Sequence, residues 1–166
     1  MIWRMLRASS PRRTGDRNWP ILKPTIYNKQ LGIERESVRE TMYEVTVEDS
    51  FAAGHYLRNY RGKCENPHGH NYKVRVTLRG SELDKAGLLL DFKDLKEVIK
   101  AIIDRLDHQM LNEVEPFKVL NPSAENLARY FYEQTNGRLK SLTSGRVNVK
   151  DVTIWETDAT TALYTE

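Results

Sequence analysis

Two segments of the chain alternate apolar and polar residues with a period of two, and they constrain the fold most. The apolar members are Tyr43, Val45 and Val47 in the first segment and Tyr72, Val74, Val76 and Leu78 in the second. Successive side chains of an extended strand point to opposite faces, so each segment predicts a strand with one buried face. Such a sheet needs a second apolar layer to cover that face.

Two amphipathic helices are predicted to supply this layer. Apolar residues recur at helical spacing at Leu95, Val98, Ile99, Ile102, Ile103 and Leu106. Asp94 is expected to be the N-cap or a first-turn acid of this helix. The second helix is predicted to begin after the cap residue Ser123 and to end at Gly137. Its apolar side carries Leu127, Tyr130 and Phe131.

Two further strands are predicted near the end of the chain. The third contains Val147, Val149, Val152 and Ile154, and the fourth spans 162–164. The parity of the apolar positions changes between Val149 and Val152, which indicates a β-bulge. The order strand–strand–helix–helix–strand–strand predicts an α+β fold, with a four-stranded antiparallel sheet and the two helices between the strand pairs.

Residues 1–41 are predicted to be a poorly ordered basic N-terminal extension, followed by one domain over 42–166. They hold nine Lys and Arg against four Asp and Glu, a net charge of +5, whereas the rest of the chain holds 17 against 19, a net charge of −2. Charge pairs at helical spacing allow a short helix near 31–39. A transit peptide would also explain this segment, as would a gene start placed too far upstream of Met42. The sequence leaves these alternatives open.

The composition argues against nucleic acid and membrane as partners. The positive charge belongs to the N-terminal segment, so the predicted domain gives no electrostatic reason to propose nucleic acid as a partner. No apolar run approaches the roughly 18 residues that a membrane-spanning helix needs. The only cysteine cannot form an internal disulfide, and a reducing, cytoplasmic setting is therefore expected.

Three of the four histidines are predicted to form a metal site. His68 and His70 come at the start of the second strand, and residues two apart point to the same side. If the first two strands pair antiparallel, His55 at the end of the first strand lies beside them. Three imidazoles with an open fourth position are typical of catalytic zinc. Ordinary surface or core histidines are the alternative.

Cys64, four residues before His68, has three interpretations. It is a fourth ligand that closes a structural site, an inert buried thiol, or a reactive thiolate favoured by the cationic loop 58–63. His108 could be its acid–base partner or a histidine at the end of a helix. Adjacent residues on a helix diverge, so Asp107 can orient His108 only if the chain turns there.

Glu156 has the parity of Ile154, so its carboxylate is predicted to point to the apolar side of the sheet and to need a partner there. An amidine-like ring edge with two parallel N–H donors would suit it. From the residues alone, an ion pair with a lysine or arginine is favoured.

Several motifs together resemble the 6-pyruvoyl-tetrahydropterin synthase superfamily over about residues 42–166. The motifs are Cys64–His70 (CENPHGH), Leu106–His108 (LDH), Pro122–Asn126 (PSAEN) and Trp155–Thr157 (WET), with His55 upstream. The resemblance implies a tunnelling fold, in which the sheets of several subunits join into an oligomeric barrel, commonly a homo-hexamer with active sites at the interfaces. It also implies Zn²⁺ as the cofactor.

The resemblance further implies a role for each residue of the site. His55, His68 and His70 would bind zinc. Cys64 would be the catalytic base, assisted by Asp107 and His108. Glu156 would anchor the pterin ring, and Ser123 and Glu125 would line the same pocket.

Three residues separate Cys64 from His68, a spacing similar to the bacterial 6-carboxytetrahydropterin synthase branch of queuosine biosynthesis. The implied lyase reaction converts 7,8-dihydroneopterin triphosphate and water to 6-carboxy-5,6,7,8-tetrahydropterin, acetaldehyde and triphosphate. A 6-pyruvoyl-tetrahydropterin synthase or a related dihydroneopterin side-chain lyase is the nearest alternative. A non-catalytic zinc-binding module, closed by Cys64, is the alternative of another class.

Overall fold

The computed structural model describes residues 41–166 and, upstream of them, the backbone of two short strands, β1 (Thr25–Asn28) and β2 (Ile33–Glu36). These strands pair antiparallel, with Thr25 opposite Glu36, within a unit that spans residues 1–39. The helix suggested near 31–39 is therefore wrong, because residues 33–36 are extended. Apart from these two strands and residue 41, the segment 1–41 lies outside the described residues, so the poor order expected for it stays a prediction.

The second unit, residues 40–166, contains one four-stranded antiparallel sheet. Its strands, in spatial order, are β3 (Tyr43–His55), β4 (His68–Gly80), β5 (Asn148–Thr157) and β6 (Thr160–Thr165). Two helices, α1 (Phe92–Ile103) and α2 (Ala124–Thr143), connect β4 to β5. The predicted four-stranded α+β architecture is confirmed.

The predicted bulge lies at Lys150. On β4, Thr77 pairs with Asp151 while Leu78 pairs with Val149, so Lys150 is the extra residue of β5. A bulge shifts the strand by one residue, which returns Val152 and Ile154 to the buried face. Both of these side chains are fully buried.

The core lies between one face of the sheet and the two helices. Its fully buried members include Val74, Val76, Leu78, Val152 and Ile154 from the strands and Leu95, Ile99, Ile102, Leu127 and Phe131 from the helices. Burial of each large apolar side chain stabilises the fold by about 1.5–3 kcal/mol. The opposite face of the sheet is charged, and Glu48 lies 2.7 Å from both Lys73 and Arg75 there.

The N-cap of helix α1 is Asp91, whose side chain accepts a hydrogen bond from the Lys93 amide at 2.8 Å. Asp94 is thus a first-turn acid rather than the cap. The helix ends at Ile103, and Leu106 is buried in the turn that follows. Among the helices of the described residues, none combines the length and the apolar character that crossing a bilayer requires.

Helix α2 begins after Ser123, whose hydroxyl accepts a hydrogen bond from the Asn126 amide at 3.4 Å. The prediction that it ends at Gly137 is wrong, since the helix continues to Thr143. An interior glycine costs about 1 kcal/mol relative to alanine. Burial of Leu139 in the next turn outweighs that cost, because its side chain is fully buried. The C-cap is Ser144, which has a left-handed φ of 51°.

Candidate active site

The three histidines converge where β3 ends and β4 begins. His55 is the direct cross-strand partner of His68, and His70 pairs with Ala53. One ring nitrogen from each of His55, His68 and His70 lies within 4.8 Å of the others. The antiparallel pairing expected from the sequence therefore brings the three imidazoles to one point, and they could hold a metal ion together.

Backbone carbonyls set the tautomers of two of these imidazoles. Nδ1 of His55 lies 2.7 Å from the Pro122 carbonyl oxygen, and Nδ1 of His68 lies 2.8 Å from that of Asn66. A carbonyl only accepts, so each Nδ1 carries the proton and each Nε2 keeps its lone pair. These two Nε2 atoms are 3.0 Å apart. Two facing lone pairs repel unless a cation lies near both, so the donor set fits a metal held by nitrogen ligands.

The environment of His55 favours its neutral form. Its side chain is 1% exposed, and burial lowers the pKa of the imidazole below its usual range, against the raising effect of the hydrogen bond to Pro122. The neutral ring is the form that binds a metal. The fully buried ring of Tyr72 packs against His55 and His70, with centroid distances of 5.8 and 5.5 Å.

The carboxylate of Glu156 lies beside this cluster. Its Oε1 is 3.5 Å from Nε2 of His55 and 3.9 Å from Nε2 of His70. The side chain points to the apolar side, as its parity indicates. Within residues 41–166, its ionisable neighbours are these imidazoles, and it forms no ion pair with a lysine or arginine of that range, which is the pair that the residues alone favoured. A carboxylate here adds negative charge next to the nitrogen cluster.

A cavity of about 250 Å³ adjoins the cluster. Its walls include His55, Tyr60, Cys64, Ser123, Glu125 and Glu156. Cys64 is half-buried and lies in a single 3₁₀ turn, Lys63–Glu65. The Cys64 thiol, the Glu156 carboxylate and the start of α2 therefore line one cavity together with His55 of the cluster.

One of the cations in the loop before Cys64, Arg58, binds elsewhere and not at the thiol. The guanidinium of Arg58 donates to the carbonyl oxygens of Phe117, Leu120 and Asn112 at 3.1, 3.1 and 3.3 Å. Its charge is therefore directed at the segment 112–120 and not at Cys64. Asn112, in this segment, and Asn121, directly after it, bind the loop backbone through their side chains. Sequence reasoning missed both, since an isolated asparagine in a loop has no spacing signal.

Asp107 and His108 lie in a turn after α1. His108 has a left-handed φ of 56°, and its Nδ1 lies 2.9 Å from Oδ2 of Asp107, so the chain does turn at this point. The second carboxylate oxygen accepts a hydrogen bond from the Ala52 amide at 2.9 Å. That bond, and next the contact with His108, hold the pKa of Asp107 below its usual range.

Among residues 41–166, His108 and Cys64 line different cavities. The imidazole of His108 is 80% exposed and lines a separate cavity of about 480 Å³ together with His70 and Met110. The structure thus joins Asp107 to His108 and gathers Cys64, Ser123, Glu125 and Glu156 around one cavity beside His55, whereas His108 lines another cavity beside His70.

Comparison with known proteins gives a consistent result. The family model of 6-pyruvoyl tetrahydropterin synthase matches residues 44–166. A 6-carboxy-5,6,7,8-tetrahydropterin synthase from Haemophilus influenzae is 31% identical, over 75% of this chain and 100% of the relative. A 6-pyruvoyl tetrahydrobiopterin synthase from Dictyostelium discoideum is 33% identical, over 62% of this chain and 73% of the relative.

Among solved structures, 6-pyruvoyl tetrahydropterin synthase from Caenorhabditis elegans superposes with a TM-score of 0.66 and 32% identity, covering 78% of this chain and 99% of that chain. Relatives that carry the carboxy name and relatives that carry the pyruvoyl name are therefore similar to this chain at comparable identity.

Proposed function

The chain belongs to the 6-pyruvoyl tetrahydropterin synthase family of lyases, and from this premise we propose that it is a zinc-dependent 6-carboxytetrahydropterin synthase. It would convert 7,8-dihydroneopterin triphosphate and water to 6-carboxy-5,6,7,8-tetrahydropterin, acetaldehyde and triphosphate. The observation that carries the proposal is the separation of Cys64 from His68 by three residues. A role in queuosine biosynthesis and a cytoplasmic location are part of the same proposal.

The proposed zinc ligands are His55, His68 and His70. Their nitrogens lie close together, and the carbonyls of Pro122 and Asn66 direct two lone pairs toward one point. Zinc bound there would supply a Lewis acid that stabilises negative charge on a side-chain oxygen of the substrate. Three protein nitrogens leave a coordination position for that oxygen, as in catalytic zinc sites.

Cys64 is proposed as the base that removes a proton from a carbon of the substrate side chain. Its place beside the cluster, on the wall of the 250 Å³ cavity, supports this role. Glu156 is proposed to accept the two N–H groups of the aminopyrimidine edge, because its carboxylate adjoins the same cavity. Ser123 and Glu125 would line the pocket around the ring.

His108, oriented by Asp107, is proposed to return or relay the proton. His108 and Cys64 line different cavities, so we propose that His108 of a second copy performs this step. The site would then lie between subunits of a homo-oligomer, for which we propose a hexamer. The exposed side chain of His108 is consistent with such a contact.

A 6-pyruvoyl-tetrahydropterin synthase is the second candidate. The similarity to the Dictyostelium discoideum and Caenorhabditis elegans proteins favours it. Both activities would use the same cluster, thiol and carboxylate, so the difference lies in which bond of the substrate side chain breaks.

Incubation of the purified full chain with 7,8-dihydroneopterin triphosphate, followed by mass spectrometry, tests the proposal. The expected products are 6-carboxytetrahydropterin and acetaldehyde. A 6-pyruvoyl product would instead favour the second candidate. Absence of both pterins from a zinc-loaded preparation would refute the proposed activity.

A further inference from the structure

The backbone of residues 56–58, which directly follows His55, is held by two asparagine side chains. Tyr56 donates its amide to Oδ1 of Asn112 and accepts from Nδ2 of the same residue, both at 2.9 Å. Arg58 makes the same pair of bonds with Asn121, at 2.8 and 3.0 Å. Each amide side chain therefore replaces the donor and the acceptor that a neighbouring β-strand would offer.

The residue between these two anchors binds the cysteine. The amide of Leu57 donates to the carbonyl oxygen of Cys64 at 2.8 Å. Tyr56 and Arg58, the residues on either side of Leu57, are the two that the asparagines anchor. The position of Cys64 therefore depends on Asn112 and Asn121 through a single intervening residue.

The segment that carries both asparagines also orients the metal cluster. The carbonyl of Pro122, next to Asn121, accepts the Nδ1 proton of His55. Asn112 is 5% exposed and Asn121 is half-buried, so water cannot readily replace these hydrogen bonds. The segment 112–122 thus sets the place of an imidazole and of the thiol relative to each other.

We propose that Asn112 and Asn121 are positioning residues for the Cys64 thiol. This role rests on the proposed function of Cys64 as the base. Proton transfer depends steeply on geometry, and a displacement of about 1 Å can lower the rate about a hundredfold. The two asparagines would keep the sulfur within reach of the substrate carbon while the metal cluster stays unchanged.

The variants Asn112→Asp and Asn121→Asp test this role, with Asn148→Asp, exposed at the start of β5, as the matched control. Aspartate keeps the size of the side chain but loses the Nδ2 donor and sets an oxygen against a backbone carbonyl. Hydrogen exchange at Leu57 and alkylation of the single cysteine by iodoacetamide are measured together with zinc content, melting temperature, kcat and KM.

We expect faster exchange at Leu57 and roughly three- to tenfold faster alkylation of Cys64, because the loop opens more often. We also expect retained zinc, and kcat lowered about tenfold or more with KM nearly unchanged. A thiol that becomes more reactive to a small reagent while turnover falls is the signature of lost positioning. The Asn148→Asp control should match the wild-type protein in all of these measurements.

Unchanged exchange and alkylation in both variants would overturn the proposal, as would faster alkylation with wild-type kcat. If Asn112→Asp does not fold, the less buried Asn121→Asp decides. A wild-type protein without turnover would refute the proposed function alone. Exchange and alkylation would then still show whether the asparagines hold Cys64.

Discussion

His55 and His68 are direct cross-strand partners, and their Nε2 atoms lie 3.0 Å apart. The protons of both rings are held on Nδ1 by carbonyl oxygens. Repulsion between the two lone pairs makes this arrangement unfavourable without a cation. With a cation it is favourable, because the two ligands are already oriented.

Substitution of His55, His68 or His70 by alanine should therefore remove zinc. We expect about one zinc per wild-type chain after dialysis, measured by elemental analysis, and strongly reduced zinc in each variant. Free zinc about 100-fold above its Kd should stabilise the wild-type fold by about 2.7 kcal/mol, seen as a higher melting temperature. His108→Ala is the control and should keep its zinc, since that imidazole lies outside the cluster. Zinc loss in this control would contradict the assignment.

Cys64→Ala should keep zinc and lose turnover. A base that moves protons contributes about 10²- to 10⁴-fold to the rate, so kcat should fall by at least about a hundredfold. Zinc content and melting temperature should match those of the wild-type protein, because three imidazoles hold the metal without the sulfur. If Cys64→Ala instead loses zinc and stability, the cysteine is a fourth ligand and the non-catalytic zinc module is the better description.

Glu156→Gln should weaken pterin binding. The amide keeps one acceptor oxygen but loses the charge and the second acceptor that a pair of N–H donors requires. We expect a roughly tenfold or larger increase in the Kd of an unreactive pterin, by analogy with other charged hydrogen bonds, measured by fluorescence titration. Glu125→Gln, on the same cavity wall, is the matched control and should have a smaller effect. Equal effects of the two substitutions would argue against a specific anchor at Glu156.

Asp107 should make folding stability depend on pH in the acid range. Its pKa is lowered in the folded state, chiefly by the Ala52 amide and next by His108. A lowered folded pKa contributes stability that is complete above the unfolded value of about 3.9 and is lost as the pH falls through the folded value. Asp107→Asn should therefore lower the melting temperature at pH 7, and the difference from wild type should shrink below about pH 4.

The matched control for this pH series is Asp158→Asn, in the turn between β5 and β6, which removes one negative charge from an exposed site. If the difference in melting temperature between wild type and Asp107→Asn stays constant from pH 7 to pH 3, the acid sensitivity does not come from Asp107.

Gly137→Ala should stabilise the fold. A Cβ built at this helical position meets nothing within 4 Å, and alanine is favoured over glycine inside a helix by about 0.5–1 kcal/mol. For a domain of this size that corresponds to a rise in melting temperature of roughly 2–4 °C. Gly145→Ala is the control and should destabilise, because Gly145 has a φ of 80° that alanine disfavours. A lower melting temperature for Gly137→Ala would contradict the interior position of this glycine in α2.

Part of the site could be predicted because it depends on short-range geometry. His68 and His70 are two residues apart, and any extended strand turns both to one side. The partner of His55 followed from one assumption, that neighbouring strands pair antiparallel, and the register of β3 and β4 confirms it. The anchors Asn112 and Asn121 could not be predicted, because their partners are distant in the sequence. Asn112 binds Tyr56 across a separation of 56 residues, and Asn121 binds Arg58 across 63.

Within residues 42–166, the sequence by itself determined the types of the two helices and four strands of the domain, the buried faces of β3 and β4 and the bulge in β5, because these depend on local periodicity. Only the tertiary structure decided that α2 continues past Gly137, that imidazoles surround Glu156, and that His108 lies apart from Cys64. Each of these outcomes depends on the packing of segments distant in the chain: burial of Leu139 offsets the glycine, strand pairing brings β5 beside β4, and the Ala52 amide holds the turn at Asp107.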